Sequence, residues 1–207
     1  MARKPVDLAA DERAELAELL ASLPADEWER PTALPGWSVR DIAAHVISYE
    51  PLGWPGFLLL FGRARFSLER ANAIGLDRAA QLGPEDILAQ YRAFPRPVVL
   101  TSSFGGRLGL TDTLIHHQDI RRALGRSRTV PADPLRAAIS FSFWALPLPA
   151  RRLAKGLRLV ATDLDRQWGS GPEVRGPGEA LLMALAGRDA LADLDGPGVP
   201  VLTSRGR

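Results

Sequence analysis

Three histidines occur in the 207-residue chain, at positions 45, 116 and 117, and each falls in a stretch with helical patterning. Asp112 and His116 are four residues apart, so on a helix their side chains emerge from one face about one turn apart. Two ligands so spaced can grip one ion, and a third from a neighbouring helix would complete a three-ligand face. Carboxylate and imidazole donors suit Zn, Ni, Fe or Mn, and three protein ligands leave positions open for water or substrate. The same spacing is also met on a solvated helix face or in an intrahelical hydrogen bond, and lone histidines often pack in cores. His117 points about 100° away from its neighbour around a helix, which suits a place behind the ligands or on a pocket wall. The chain has no cysteine. Disulfides, thiolate ligands and a cysteine nucleophile are therefore excluded, and any thiol chemistry must use an external thiol.

These residues need helices to position them. Val6 to Leu23 carries leucines in a near-helical stripe that Pro24 stops. After the turn-rich Pro31 to Trp37, Ser38 suits an N-cap, with Asp41 three residues on in the capping-box position. Asp41 also lies four residues before His45, so it either caps the helix or orients the imidazole. Val39, Ile42, Val46 and Ile47 form the apolar side of that helix. Further helices are expected around Arg65 to Ile74, Glu85 to Phe94 and Leu108 to Leu124, the last closed by Gly125. Pro95 to Gly106 reads as a long connection passing over a pocket. A last bundle helix is expected from Leu135 to Leu146, with Phe141, Phe143 and Trp144 packing in the core.

The character changes after Pro147 and Pro149. Gly156 to Thr162 alternates like a strand, Glu173 to Arg175 suits a second, and Val199 to Thr203 a third. Glu179 to Ala186 is helical. The expected organisation is a helical bundle over 1–149 and a small α/β subdomain over 150–207.

Composition narrows the function. Hydrophobic residues make up 46% and charged residues 24%, as in a globular protein with a substantial core. There are 26 basic and 24 acidic residues, with no Lys/Arg run of the kind that tracks a phosphate backbone. A nucleic-acid role is not expected. Met1 to Pro5 leads into an acidic amphipathic stretch instead of an apolar signal segment, and the apolar run Phe57 to Phe61 is too short to span a bilayer. A cytoplasmic protein with no membrane association is the expectation.

Two blocks of sequence carry a resemblance. Pro35-Gly36-Trp37-Ser38-Val39-Arg40-Asp41-Ile42-Ala43-Ala44-His45 and Asp112-Thr113-Leu114-Ile115-His116-His117-Gln118-Asp119-Ile120 resemble the mycothiol-dependent maleylpyruvate isomerase family, part of the wider DinB-like superfamily. Leu159 to Asp163 and Gly169 to Gly176 are similar to that family's C-terminal portion. The resemblance implies a mainly α fold, a DinB-like four-helix bundle with a small C-terminal α/β subdomain. It also implies one divalent ion held by His45, Asp112 and His116, Zn or Ni foremost. The isomerase has Glu where this chain has Asp112. Being shorter by a methylene, Asp112 would draw the ion toward its helix or bind it through water.

The activity so implied is a metal- and mycothiol-dependent isomerase or thiol S-transferase acting on a small electrophile. A metal-dependent hydrolase on the same site, or a non-catalytic dimeric ligand-binding module, are the alternatives. Around the site, Asp119 and Gln118 either bind substrate or anchor the helix end, and Arg121 and Arg122 complement the helix dipole. Trp28 and Trp37 are read as packing residues. A face rich in Trp and Phe is compatible with a homodimer.

Overall fold

The computed structural model describes residues 3–206. Its contacts group into two units, one through Ser127 and one from Arg128 onward. The first is all helical: α1 (Pro5–Ala21), α2 (Ala25–Trp28), α3 (Val39–Ile47), α4 (Gly53–Arg63), α5 (Leu68–Ala79), α6 (Pro84–Ala93) and α7 (Arg107–Leu124). Helices α1, α3, α6 and α7 close a four-helix bundle, in which α1 and α3 each pack on both α6 and α7. The fold class implied by the resemblance is the one observed.

Local chemistry sets these helices. Pro5 and Pro84 open α1 and α6, where a missing N–H costs nothing and φ is already helical. Ser38 and Asp41 form the capping box of α3: Asp41 N–H donates to Ser38 Oγ at 3.2 Å, and Ser38 N–H donates to Asp41 Oδ2 at 2.9 Å. Capping is thus the role of Asp41. Gly125 ends α7 at φ +66°, and Arg126 N–H reaches back to the Arg121 carbonyl at 2.9 Å. The bundle core joins Leu16 and Leu20 to Ile42, Val46, Ile87, Tyr91 and Ile120, all buried.

The connection from α6 to α7 is pinned from below by charge. Arg13 of α1 donates to Glu50 Oε1 at 2.7 Å and to the Phe94 carbonyl at 2.9 Å. Glu50, in the turn between α3 and α4, also accepts from Val98 and Val99 N–H at 3.3 and 3.2 Å and from Thr101 Oγ1. Both side chains of the Arg13–Glu50 pair are at most 1% exposed. At the end of this loop Gly106 lies so close to α1 that a Cβ would fall 2.5 Å from Val6 Cα. The expected long connection is therefore strapped down onto α1 and α7.

The second unit contains α8 (Ala132–Ser142), α9 (Ala150–Leu153), β1 (Arg158–Ala161), β2 (Arg166–Gly169), β3 (Glu173–Gly176), α10 (Gly178–Leu185) and α11 (Val199–Gly206). The sheet order is β2-β1-β3, with β1 antiparallel to β2 and parallel to β3. Helix α10 covers β1 and packs against α8. A Cβ at Gly178 would stand 2.9 Å from Leu135 Cδ2, a measure of how closely those helices approach.

Several expectations need correction. Contacts divide the chain at Ser127, and α8, expected as the last bundle helix, packs in the second unit. Periodicity shows which face of a helix is apolar and not what covers it. Val199–Gly206 is a helix, not a strand; Pro200 sits in its first turn, where proline is tolerated. Helix α4 was read only as a short apolar run, because Pro55 and Gly56 punctuate it like a turn. Strand β2 lacks apolar alternation because most of its side chains are exposed at the sheet edge. Phe141 is buried as expected, but Trp144 is 75% exposed.

Removing one partner of a buried pair strands the other charge. Arg13→Ala is expected to cost about 3–5 kcal/mol of stability in urea denaturation. Arg92→Ala, which breaks an exposed pair with Glu85 at 3.8 Å, should change stability by less than about 1 kcal/mol.

Candidate metal centre

His45 comes from the last turn of α3, and Asp112 and His116 from adjacent turns of α7. The packing of α3 on α7 brings all three together. Asp112 Oδ1 lies 3.9 Å from His45 Nε2 and 3.7 Å from His116 Nε2. One donor atom from each residue lies within 4.8 Å of the others, and this is the one His/Asp/Glu cluster among the described residues with metal-holding geometry. The imidazole planes cross at 82° with centroids 5.0 Å apart. Both histidines are buried, whereas the Asp112 side chain is 33% exposed. The carboxylate therefore marks the side on which the cluster meets solvent.

Neighbouring groups fix the two rings. His116 Nδ1 lies 3.0 Å from Asp119 Oδ2, one turn further along α7 and buried. A carboxylate only accepts, so Nδ1 is the donor in that bond, and Nε2 faces Asp112 and His45. Asp119 thus orients a histidine, a role the sequence reading did not give it. The i,i+3 spacing from His116 was the signal that could have found it. Trp37 packs edge-on to His45 at 5.2 Å and nearly parallel to His116 at 6.5 Å. It is half-buried and borders the cluster as well as the bundle core. Trp28 is a packing residue, 3% exposed in the core.

His117 is not on the pocket wall. Rotated away from the cluster, its Nδ1 meets Glu12 Oε1 of α1 at 2.7 Å. Arg121 Nε donates to His117 Nε2 at 2.8 Å, and the same guanidinium reaches Glu15 at 3.4 Å. Arg121 is thus more than a partner for the helix dipole: it closes a buried array between α1 and α7. Sequence reading could not find Glu12, because 105 residues separate it from His117.

Two tyrosines stand close enough to the cluster to feel the Asp112 charge. Burial, with a smaller contribution from Asp112, pushes the Tyr49 phenol well above its ordinary value. Burial also raises Tyr91, against the opposing charge of Arg13 and with a further push from Asp112. Both phenols stay protonated donors: Tyr49 to Asn72 Oδ1, and Tyr91 to the Ala43 carbonyl at 2.9 Å.

With that geometry described, comparison with known proteins is informative. The family model for the mycothiol maleylpyruvate isomerase N-terminal domain matches residues 9–94. The matched residues lie within the N-terminal unit and span α1 to α6. The match includes His45 and Trp37 but ends before Asp112 and His116. A solved histidine-to-alanine mutant of the mycothiol-dependent maleylpyruvate isomerase is similar in structure, with a TM-score of 0.60 at 15% identity, covering 93% of this chain and 91% of that one. A second structure of the isomerase gives a TM-score of 0.50 at 13% identity, with the same coverage. At these identities the likeness concerns the fold. Among curated proteins, none matches the chain.

These are the chain's two tyrosines, and both have a folded pKa above the ordinary value of 10.0. The native state therefore holds their protons more tightly than the unfolded chain does. That stabilisation is fully present below pH 10 and fades as pH rises further. Spectrophotometric titration should show tyrosinate appearing only well above pH 10 in the native protein, and near pH 10 after unfolding in urea.

Proposed function

We propose that this chain is a divalent-metal- and thiol-dependent enzyme, an isomerase or S-transferase acting on a small electrophilic molecule. The observation that carries the reading is the approach of the Asp112 carboxylate to two imidazole Nε2 atoms, on a domain of the mycothiol maleylpyruvate isomerase family. Ligands about 2.0–2.2 Å from a Zn-sized ion stand about 3.3–3.6 Å apart in a tetrahedron. The two carboxylate–imidazole separations exceed this by only a few tenths of an ångström, so small side-chain rotations would close the set. The shorter reach of Asp relative to Glu is therefore no obstacle to direct coordination, and a bridging water is unnecessary. Zn or Ni suits the donor set best.

His45 and His116 would supply neutral nitrogen donors, and Asp112 one negative charge. Asp119, accepting from Nδ1, would hold the His116 ring against rotation with Nε2 turned to the ion. Trp37 would restrict the histidine side of the site, leaving approach beside the half-exposed Asp112. A bound divalent ion lowers the pKa of a coordinating thiol, so that the thiolate is the species present at neutral pH. With no cysteine in the chain, that thiol would arrive as a cosubstrate, mycothiol by the family reading. Tyr49, kept protonated, cannot serve as a base near neutral pH and would act only as a donor. A small-molecule substrate and a cytoplasmic location follow from the family reading; no described helix is long and apolar enough to cross a membrane. A homodimer is the assembly we favour, because α4 leaves Trp54, Leu58 and Leu59 exposed; a monomer mass in light scattering would reject it.

Purified protein should carry close to one divalent ion per chain by elemental analysis. His45→Ala, Asp112→Ala and His116→Ala should each lose it. Asp119→Asn should keep the fold and weaken metal affinity about 10–100-fold. An empty site after loading wild-type protein with Zn or Ni would refute the metal reading. Turnover of an electrophile without added thiol would shift the assignment to metal-dependent hydrolysis.

A further inference from the structure

The second unit holds a cleft of ≈ 370 Å³ that the reading above does not use, lined by Phe143, Arg151, Lys155, Leu157, Leu159 and Trp168, among others. Its chemistry is divided. Leu157 and Leu159, each 1% exposed, give a fixed apolar floor. Phe143 and Trp168 supply two half-buried aromatic rings beside that floor. Trp168 pairs with Leu159 across the β1–β2 ladder, and its indole N–H donates to Ser140 Oγ of α8 at 3.1 Å. The ring is thereby held in one orientation before any ligand arrives.

Arg151 and Lys155 stand four residues apart, on α9 and in the turn that follows it. Among the described residues, neither side chain has a carboxylate within ion-pair distance. This distinguishes them from most charged neighbours in the unit: Arg158 and Arg175 both bind Glu173, and Arg136 binds Asp133. Two uncompensated cations beside a rigid aromatic and aliphatic surface form a site with one charged end and one apolar end. Its volume lies at the lower end of the range for small-molecule sites.

We propose that this cleft binds a small aromatic carboxylate, its ring lying between Phe143 and Trp168 and its carboxylate between Arg151 and Lys155. Arginine offers a planar pair of donors to the carboxylate, and lysine adds a second positive charge. The rings accept a flat body by offset or edge-on stacking. An anion without an apolar body would lose the floor contacts, and a neutral aromatic would leave the cations unengaged.

The test uses the full-length protein and naphthalene-2-carboxylate as probe, read by calorimetry and by amide chemical shifts. One site should bind, with shifts centred on residues 143, 151–159 and 168–169. Arg151→Gln combined with Lys155→Gln, both exposed positions, should weaken the probe at least tenfold while leaving binding of naphthalene-2-carboxamide unchanged. Trp168→Phe should weaken both molecules, and rising salt should weaken only the carboxylate. Shifts confined to residues around His45 and His116 would overturn the proposal by assigning the probe to the metal centre. Equal binding of carboxylate and carboxamide, or no binding of either, would also overturn it. Octanoate binding as tightly as the naphthoate would overturn the aromatic assignment.

Discussion

Charged side chains withdrawn from water must be paired, and the N-terminal unit is organised around that requirement. Helix α1 carries Glu12 and Arg13 side by side, and both are buried. Glu12 engages His117 of α7, while Arg13 engages Glu50 between α3 and α4. An isolated buried charge costs several kcal/mol, so a one-residue slip of α1 would break two such arrangements at once. Apolar packing tolerates sliding far better than paired charges do. The bundle helices are therefore registered by electrostatics and stabilised by the leucine and isoleucine core.

That registration explains how α7 serves two neighbours. Asp112, His116 and Asp119 recur at i, i+4 and i+7, one stripe of the helix, and His45 of α3 meets this stripe. His117 and Arg121 form another stripe, turned roughly 100° away, and meet α1. Ile120 and Leu114 take the apolar positions between them. Adjacent histidines consequently have unrelated duties. His116 is held by Asp119 through Nδ1 with Nε2 turned toward Asp112 and His45; His117 has both nitrogens engaged within the protein.

The legible and illegible parts of the chain divide on this physics. Helices α1, α3, α6 and α7 could be read because their caps and terminators are local: Pro5, the Ser38–Asp41 box, Pro84 and Gly125 act within a few residues of themselves. The Asp112–His116 pair was legible for the same reason. His45 could join it only through the resemblance, since spacing along one helix says nothing about a ligand on another. Glu12 was invisible as a partner, because only the folded bundle brings α1 to α7. Helix α4 was hidden by Pro55 and Gly56, residues that signal a turn in isolation but are harmless in a first helical turn. In the second unit, α11 was misread from a short apolar run, which periodicity alone cannot divide between strand and helix.

The short reach of the Asp112 side chain bears on what the site can do. A carboxylate that is shorter by a methylene would be out of reach if α3 and α7 stood where a longer side chain required. Here Oδ1 already stands 3.7 and 3.9 Å from the two imidazoles. The helices are thus close enough for an aspartate to bring its carboxylate to both rings. Small residues at the crossing permit this approach: Ala43 and Ala44 flank the histidine on α3, and both are buried. The buried Asp119 carboxylate is paired with the His116 imidazole, and that contact fixes the ring in one orientation beside Asp112 and His45.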